Sequence, residues 1–308
     1  MAKDQNGYFK RAAVTIDRST CNDCGLCAEV CGGQPLVIVN DKVEIDPKSA
    51  LGCFGCGQCM MICPTGSISV NGRDLSPKDL LDLQPRNVRA TSNQLEALLL
   101  PRRSIRRFKE KEVDREVVDT VIRIASTAPM GIPPSEVGIL VVHGRDKVKV
   151  FSADVMSTVE RTMKLVNPLT MALFRPFMKK ATYESFKEFV IPIGGLMAKE
   201  KESGGAPLLY GAPVALLFHS SPYTEPADCY IAATYAMIAA ESLGLGTCMI
   251  GMVAPFFGRN KKLMAKYGIP KQNKPSIVLL MGYPGTNFKH GVRRRFASVS
   301  YNGEPRAD

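Results

Sequence analysis

Short alternating hydrophobic patterns dominate the beginning of the chain. Apolar runs bounded by polar or turn residues are typical of short strands, and they occur at Ala13–Ile16, Leu36–Val39, Val43–Ile45 and Ile68–Val70. Asn40 and Asp41 separate the middle two runs, which predicts a hairpin. These elements predict a small domain over residues 1–75.

Longer apolar patterns begin near Thr91 and predict a second domain over residues 91–308. Thr91 to Gln94 has the form of a capping box before an apolar run, and Asp114 precedes apolar residues at helical spacing. We predict two further helices, at about Ala227–Leu243 and Pro255–Tyr267. Buried strands are predicted at Val137–Val142, Ala212–Phe218 and Ser276–Met281. Helices and strands alternate irregularly, which favours an α+β layer fold.

Residues 76–90 form a predicted linker between the two domains. Pro77 and Pro85 lie among charged residues there, and Ser76 followed by Pro77 predicts the start of one short helix.

Composition narrows the class of protein. The chain has 308 residues, 45% hydrophobic and 22% charged, which is typical of a globular protein of two domains. Its formal charge is +11, but the basic residues concentrate at Arg102–Lys111 and Arg293–Arg295. Two local clusters predict binding of a small anion rather than an extended basic surface for nucleic acid. No apolar stretch is long enough to span a bilayer and no signal peptide is recognisable, so we expect a cytoplasmic protein without a transmembrane segment.

Eight of the ten cysteines lie in two matched runs, and both runs have the spacing C-x2-C-x2-C-x3-C. This is the spacing of bacterial ferredoxins with two [4Fe-4S] clusters, in which the fourth cysteine of each run ligates the other cluster. One cluster is then predicted to bind Cys21, Cys24, Cys27 and Cys63. The other is predicted to bind Cys53, Cys56, Cys59 and Cys31.

Two other interpretations of the cysteines have less support. Zinc ribbons need only four ligands per metal, arranged as paired C-x2-C knuckles. A disulfide framework requires an oxidising compartment. Of the remaining cysteines, we expect Cys229 to pack within a helix and Cys248 to act as a small buried hydrophobe.

A Met-rich, basic segment at residues 156–209 interrupts the second domain, and several prolines break it. Three interpretations remain open: extra helices packed on the core or across a dimer, a flexible cover over a substrate pocket, and a contact with a membrane surface.

The second domain resembles the nitroreductase family of flavin enzymes from about Leu95 to Tyr301. Four pieces in order carry the resemblance: the R-x-S-x-R-x-F stretch at Arg102–Phe108, the turn Ala128–Gly131, the long helix with its glycine-rich exit at Ala227–Gly251, and Met281–Pro284 followed by Arg293–Arg295. The resemblance implies a nitroreductase-like mixed sheet flanked by helices. A ferredoxin domain joined to such a domain is a known arrangement.

The family resemblance also implies FMN, bound without a covalent link at a homodimer interface. By position, the flavin phosphate and ribityl chain are expected to contact Arg102, Arg103, Ser104, Arg106, Arg293 and Arg295. The isoalloxazine ring is expected to contact Pro129, Met130, Gly131, Ile250 and Gly251. The role of Arg294 is left open, and no catalytic side chain is assigned. The chain departs from the family at Ile132–Glu136, where an Asn and a Gln-Pro-Trp-like stretch are usual, which leaves the substrate class open.

Other catalytic motifs are missing from the sequence. Gly246–Gly251 has phosphate-loop spacing, but Met252 stands where a lysine is required, and no H-E-x-x-H or G-x-S-x-G occurs. The three histidines are expected to be core or surface residues.

The combined interpretation is an FMN-dependent oxidoreductase. It is expected to receive low-potential electrons from ferredoxin or a similar donor through the two clusters, and to reduce a small conjugated acceptor such as a nitroaromatic, quinone or enone. Three alternatives remain: a dehydrogenase that runs in reverse to reduce ferredoxin, direct reduction of the flavin by NAD(P)H, and an electron carrier or redox sensor that docks on a larger partner.

Overall fold

The computed structural model of the protein describes residues 11–32, 35–131, 136–164, 170–171, 173, 175–193, 195, 208–302 and 304–305. Two sequence predictions fall partly outside these residues. They are the family departure at Ile132–Glu136, of which only Glu136 is described, and the Met-rich segment at 156–209, of which 20 residues lie outside.

Over the predicted N-terminal domain, the described residues form two small antiparallel sheets and two short helices. Strands β1 (Ala13–Ile16) and β4 (Ile68–Asn71) pair with each other, and β2 (Leu36–Val39) pairs with β3 (Lys42–Ile45). All four predicted strands are therefore confirmed. Helices α1 (Leu26–Glu29) and α2 (Gln58–Ile62) follow Gly25 and Gly57, whose φ angles of 78° and 74° lie in the left-handed region that favours glycine. Each helix thus begins inside a cysteine run.

The linker contains two single turns of 3-10 helix, Pro77–Asp79 and Arg86–Val88. The first begins after Ser76, as predicted, and Ser76 N donates to the Asp79 carboxylate at 2.7 Å. Helix α3 (Ser92–Leu99) then begins with the predicted capping box, in which Gln94 N donates to Thr91 Oγ1 at 3.3 Å.

A four-stranded sheet organises the second domain. It contains β5 (Val137–His143), β6 (Val214–Ser220), β7 (Gly246–Ile250) and β8 (Lys274–Gly282) in the order β5-β6-β8-β7. All three ladders are antiparallel, so the expectation of a mixed sheet is met only by a single parallel bridge between Ser104 and Thr247. Strand β5 lies at an edge and is mostly half-buried, which corrects the prediction that it is buried.

Helices cover both faces of the sheet. Alternate residues of β6 face opposite sides, so Leu216 and Phe218 join one apolar core while Ala215 and Leu217 join the other. Helices α4 (Arg115–Ala125) and α7 (Pro226–Ser242) cover the first side. Helices α5 (Arg145–Lys164), α8 (Val253–Arg259) and α9 (Lys261–Lys266) cover the second. The sheet and the helices on its two faces form the α+β layers expected from the sequence.

One sequence prediction differs from the fold in this region. The single helix predicted over Pro255–Tyr267 is two helices, because Asn260 leaves the helical conformation and its side chain caps α9 by accepting from Leu263 N at 3.1 Å. The glycine-rich exit at Gly246–Ile250 is strand β7, which pairs with the buried strand β8.

The Met-rich segment begins inside a helix of the core. Helix α5 runs through residue 156, and Met156 and Val159 are each only 3% exposed. The first part of the segment is therefore core structure. Farther on, the described residues contain helix α6 (Lys180–Ser185) and a π-helical turn at Phe186–Val190.

Within the described ranges, no helix is long and apolar enough to cross a membrane.

Candidate functional site

The eight predicted cluster ligands fall into two groups. Cys27 lies close enough to Cys24 and Cys63 for their charges to act on its thiol. Cys21 is on the same side, because Thr20 Oγ1 lies 2.8 Å from Ser67 Oγ, in the loop that follows Cys63. The fourth cysteine of the second run therefore approaches the first run, as the ferredoxin spacing predicts.

The other four cysteines line one small cavity. Cys31 reaches it from the first run and meets Cys53, Cys56 and Cys59 of the second, among apolar neighbours that include Phe54. Burial, together with the neighbouring cysteines, raises the pKa of Cys59 to about 12. Burial also raises the pKa of the Cys53 thiol. Both thiols are protonated at neutral pH unless a cation takes the place of the proton.

The spacing within each group does not suit a single metal ion. In the described part of the chain, no three His, Cys, Asp or Glu side chains are arranged to hold one ion together. Around a [4Fe-4S] cube each cysteine binds a different iron atom, so the ligands stand farther apart than those of one ion.

Cys63 has more hydrogen-bond donors near its sulfur than its neighbours do. Ser67 N donates to Cys63 Sγ at 3.3 Å, and Thr65 Oγ1 lies 3.6 Å from the same sulfur. The Thr65 hydroxyl also lies 2.7 Å from Ser67 Oγ, so a chain of hydroxyl groups from Thr20 ends at Cys63. Burial opposes the thiolate, but hydrogen bonds from Thr65 and Ser67 outweigh it and lower the pKa of Cys63.

The arginine-rich segment of the second domain is held against β7. Ile105 N donates to Thr247 O at 2.8 Å, and Ser104 forms the parallel bridge with Thr247. This approach requires glycine at position 246, because a Cβ there would lie 2.5 Å from Ile105 Cγ1. The sheet therefore determines where Ser104 and its flanking arginines lie.

Two buried polar atoms beside this junction have no partner within the described structure: Arg103 Nη2 and Thr247 Oγ1. The other terminal nitrogen of Arg103 donates to Arg102 O at 2.7 Å and to Leu100 O at 3.0 Å. Buried polar groups in native proteins are nearly always satisfied. Both atoms can donate to an anion, so their position fits a phosphate group.

The remaining side chains of the segment point in two directions. Arg102 extends toward α7, where its Nη1 lies 3.3 Å from Met237 Sδ. Burial raises the pKa of the nearby Glu241, and Arg102 opposes that shift. Arg106 lies over the Tyr210 ring, 5.9 Å from its centroid, and also near Cys248. Burial raises the pKa of Cys248 despite Arg106 and Ser104, in keeping with the expected buried hydrophobe.

The C-terminal arm contributes to the same region. A groove of about 790 Å³ is lined by Arg102 and Arg103 on one side and by Arg293 and Arg294 on the other. Arg294 thus joins the groove although the sequence left it unassigned, and among the described lining residues Arg295 does not appear. Four guanidinium groups around one groove make an anion-binding surface.

The predicted ring contacts lie at the other end of α7. Gly131 N donates to the buried Asp228 carboxylate at 3.1 Å, which holds the turn Pro129–Gly131 against the first turn of the helix. Met130, at the centre of this turn, is 37% exposed. Ile250 ends β7, and Gly251 lines a cavity together with Pro226 of α7.

In one chain, therefore, the structure does not bring the arginine groove and the predicted ring contacts at Pro129–Gly131 together. Ile250, by contrast, lies only three residues after Thr247, the partner of Ser104, on β7. The arginine groove lies near Glu241 and the turn at Pro129–Gly131 lies near Asp228, thirteen residues earlier on α7. At 1.5 Å per residue this is a separation of about 20 Å along the helix. Sequence reasoning did not identify Thr247 and Asp228 as site residues. Thr247 is recognised only because the sheet places it beside Ser104, and Asp228 only because the start of α7 lies against the turn at Gly131.

Comparisons with known proteins identify the family of this part of the chain. A model of the nitroreductase family matches residues 99–283. The chain is 24% identical over 192 residues to a protein of Methanothermobacter thermautotrophicus named as an NADH dehydrogenase/NAD(P)H nitroreductase, covering 60% of this chain and 75% of that protein. It is 27% identical over 195 residues to the FMN reductase (NAD(P)H) of Bacillus subtilis, covering 62% of this chain and 66% of that protein.

Two further similarities concern the ferredoxin-like part and the fold. Over 60 residues, 19% of this chain and 94% of the other protein, the chain is 38% identical to an uncharacterized ferredoxin of Methanocaldococcus jannaschii. A crystal structure of an FMN-bound nitroreductase from Bacteroides fragilis has a TM-score of 0.51 at 15% identity, covering 68% of this chain and 100% of that one, which shows a shared fold. The family model matches more than half of the residues of this chain. The chain therefore belongs to the nitroreductase family, a family of flavin oxidoreductases.

Proposed function

We propose that the protein is an FMN-dependent oxidoreductase that receives low-potential electrons through two [4Fe-4S] clusters and reduces a small conjugated acceptor of the nitroaromatic, quinone or enone type. One observation carries the proposal: two groups of four cysteines and an arginine groove with unpartnered buried donors occur in one chain. The ferredoxin-like domain would comprise residues 1–75, the linker 76–90 and the FMN-binding domain 91–308.

The residues of the second domain fit FMN. Arg103 Nη2 and Thr247 Oγ1 lack partners that a phosphate oxygen would supply, and among the described residues that line the groove at Arg103, Glu96 is the only acidic one. We assign the phosphate and ribityl chain to Arg102, Arg103, Ser104, Arg106, Arg293 and Arg295, with Arg294 added. We assign the flavin ring to Pro129, Met130, Gly131, Ile250 and Gly251. When bound, FMN supplies hydride transfer to or from the reacting molecule.

A second copy of the chain would complete this site. The separation of about 20 Å along α7 between the arginine groove and the turn at Pro129–Gly131 is bridged most simply if each FMN uses the groove of one protomer and that turn of the other. Helix α7 is mostly apolar, yet Tyr230 on it is 48% exposed. Val292 and Phe296 of the C-terminal arm are 64% and 86% exposed. These surfaces favour a homodimer.

The cysteine groups fit two cubes. Four buried or half-buried thiols line the cavity at Cys59, and Cys63 joins the other group with two hydrogen bonds already directed at its sulfur. When bound, such clusters supply one-electron transfer.

The relatives' names favour a second candidate for the electron donor. Two of them are named as NAD(P)H-dependent enzymes, so a nicotinamide could reduce the flavin without the clusters. Ferredoxin or a similar low-potential protein remains the donor that the cysteine-rich domain favours.

The test is anaerobic reduction of anoxically purified protein. Iron, sulfide and FMN are first measured per chain. Reduced ferredoxin, NADH and NADPH are then mixed separately with the protein while the flavin band is followed by stopped-flow absorbance. The proposal expects fast bleaching of the flavin by reduced ferredoxin. Protein without FMN, or flavin that stays oxidised while the clusters are reduced, would contradict it.

Thr65→Val is expected to lower the reduction potential of the cluster bound by Cys63. Hydrogen bonds to a cluster sulfur stabilise the reduced, more negative form, and this substitution removes the hydroxyl 3.6 Å from the sulfur. We expect a shift of up to about 60 mV, which is about a tenfold change in the ratio of reduced to oxidised cluster. The measurement is a redox titration followed by electron paramagnetic resonance.

Thr20→Val is the matched control for this prediction. It removes the far end of the same hydroxyl chain, which contacts Ser67 and no sulfur. Equal shifts in the two variants would show that the hydroxyl of Thr65 has no direct effect on the cluster.

A further inference from the structure

A cavity of about 440 Å³ opens beside Gly251, at the end of the molecule where the predicted ring contacts lie. It lies beyond the end of β7 and the start of β8, between the first turns of α7 and α8 and the loop that leads into β8. A molecule bound there would be next to the edge of a flavin held by Gly251.

The cavity is lined by positive charge. Arg259, Lys261 and Lys274 lie on its wall together with the amides of Gln272 and Asn273, and no acidic residue lines it within the described structure. Pro226, the first residue of the 17-residue helix α7, also lines it, so the positive end of that helix dipole adds to the potential.

The nearest acidic side chains of α7 face elsewhere. Asp228 accepts a hydrogen bond from Gly131 N at 3.1 Å, and Glu225 Cβ would lie 3.2 Å from a Cβ at Gly131. Both residues therefore lie against the turn at Gly131, and they do not line the cavity.

Two of the three cations are available to a ligand. Lys261 Nζ donates to Lys271 O at 2.8 Å and is held by the loop. Among the described residues, neither Arg259 nor Lys274 forms an ion pair, and both are exposed. The Asn273 amide is fixed in place by its contact with His219 Nδ1 at 2.9 Å. An anionic group entering the cavity would therefore meet two free cations beside a positioned amide.

We propose that this cavity binds an anionic group of the molecule that exchanges electrons with the flavin, so that carboxylate- or phosphate-bearing molecules are preferred over neutral ones. The inference rests on the proposed FMN-dependent function and adds a substrate class to it. The anionic group can belong to the acceptor or to the phosphates of a nicotinamide donor, and the experiment separates these two sources.

The test uses the FMN-loaded, oxidised protein. Para-nitrobenzoate and its neutral analogue para-nitrobenzamide are titrated separately, and binding is followed by equilibrium dialysis and by the change in the flavin spectrum. We expect the benzoate to bind at least about tenfold more tightly than the amide, and the difference to disappear in the Arg259→Gln/Lys274→Gln variant. Lys262→Gln is the matched control, because Lys262 is exposed on α9 and does not line the cavity.

ADP-ribose, which carries the phosphates of a nicotinamide donor without its ring, separates the two sources. Displacement of para-nitrobenzoate by ADP-ribose, with a raised KM for NADH in the double variant, assigns the cavity to the donor. Selectivity for the benzoate without such displacement assigns it to the acceptor. The melting temperature of each variant is measured to confirm that the fold is intact.

Equal dissociation constants for the benzoate and the amide, together with no binding of ADP-ribose, would overturn the inference. The same conclusion follows if the double variant loses no more affinity for para-nitrobenzoate than the Lys262→Gln variant does. If the protein holds FMN and reduces both nitro compounds with equal KM, only this inference fails. If it holds no FMN or reduces neither compound, the proposed function itself fails.

Discussion

Cys59→Ala is expected to lower the iron content of the protein from about eight atoms to about four per chain. Cys59 is 6% exposed and lines one cavity with Cys31, Cys53 and Cys56, so its loss removes a ligand that no exposed side chain can replace. The other group, around Cys27 and Cys63, is untouched. Iron and sulfide analysis of anoxically purified protein measures the effect.

Cys229→Ala is the control for this substitution. Cys229 is also a buried cysteine, but it lies in α7, within the apolar core of the second domain. We expect the control to keep all of its iron. Full iron in Cys59→Ala, or an equal loss in both variants, would show that the two groups of cysteines do not hold separate clusters.

Gly246→Ala is expected to weaken FMN binding by at least about tenfold, although Gly246 is not assigned to contact the cofactor. The added Cβ would lie 2.5 Å from Ile105 Cγ1 and 2.9 Å from Ile105 Cβ, so the segment that carries Ser104 must move away from β7. Overpacking of this kind costs about 1–3 kcal/mol. Equilibrium dialysis of FMN and thermal unfolding of the apoprotein measure the two effects separately.

Ile105→Gly tests whether the clash is the cause. Combined with Gly246→Ala, it removes the β and γ carbons nearest to the new Cβ, so the loss of FMN binding in the double variant should be smaller than the sum of the two single losses. Strictly additive losses would mean that Gly246 acts through something other than its contact with Ile105.

Local signals in the sequence were sufficient for several elements. The capping boxes at Ser76 and Thr91 are present because each joins residues only three positions apart, so no distant segment is needed to form them. The four short strands of the N-terminal domain follow from apolar runs bounded by turn residues. The cysteine spacing predicts which cysteines share a group, and Cys63 does lie near Cys27.

Other features depended on contacts between distant segments. The predicted helix at Pro255–Tyr267 is interrupted because the Asn260 side chain caps a new helix, and Asn260 Nδ2 also donates to Thr158 Oγ1 at 2.9 Å across 102 residues. Strand β5 has the sequence of a buried strand but is half-buried, because it lies at the edge of the sheet. Neither the interruption at Asn260 nor the edge location of β5 can be predicted from the hydrophobic pattern of the segment itself.

The sequence alone determined the cysteine groups, the arginine-rich segment, the order of the main elements and the resemblance to the nitroreductase family. Only the tertiary structure decided that Thr247 lies beside Ser104, that Asp228 holds the turn at Gly131, and that the arginine groove and this turn lie at opposite ends of α7. The physical reason is that caps, turns and ligand spacings join residues close in the chain. The site instead depends on which helix and strand faces bury one another, and that burial joins residues about one hundred positions apart.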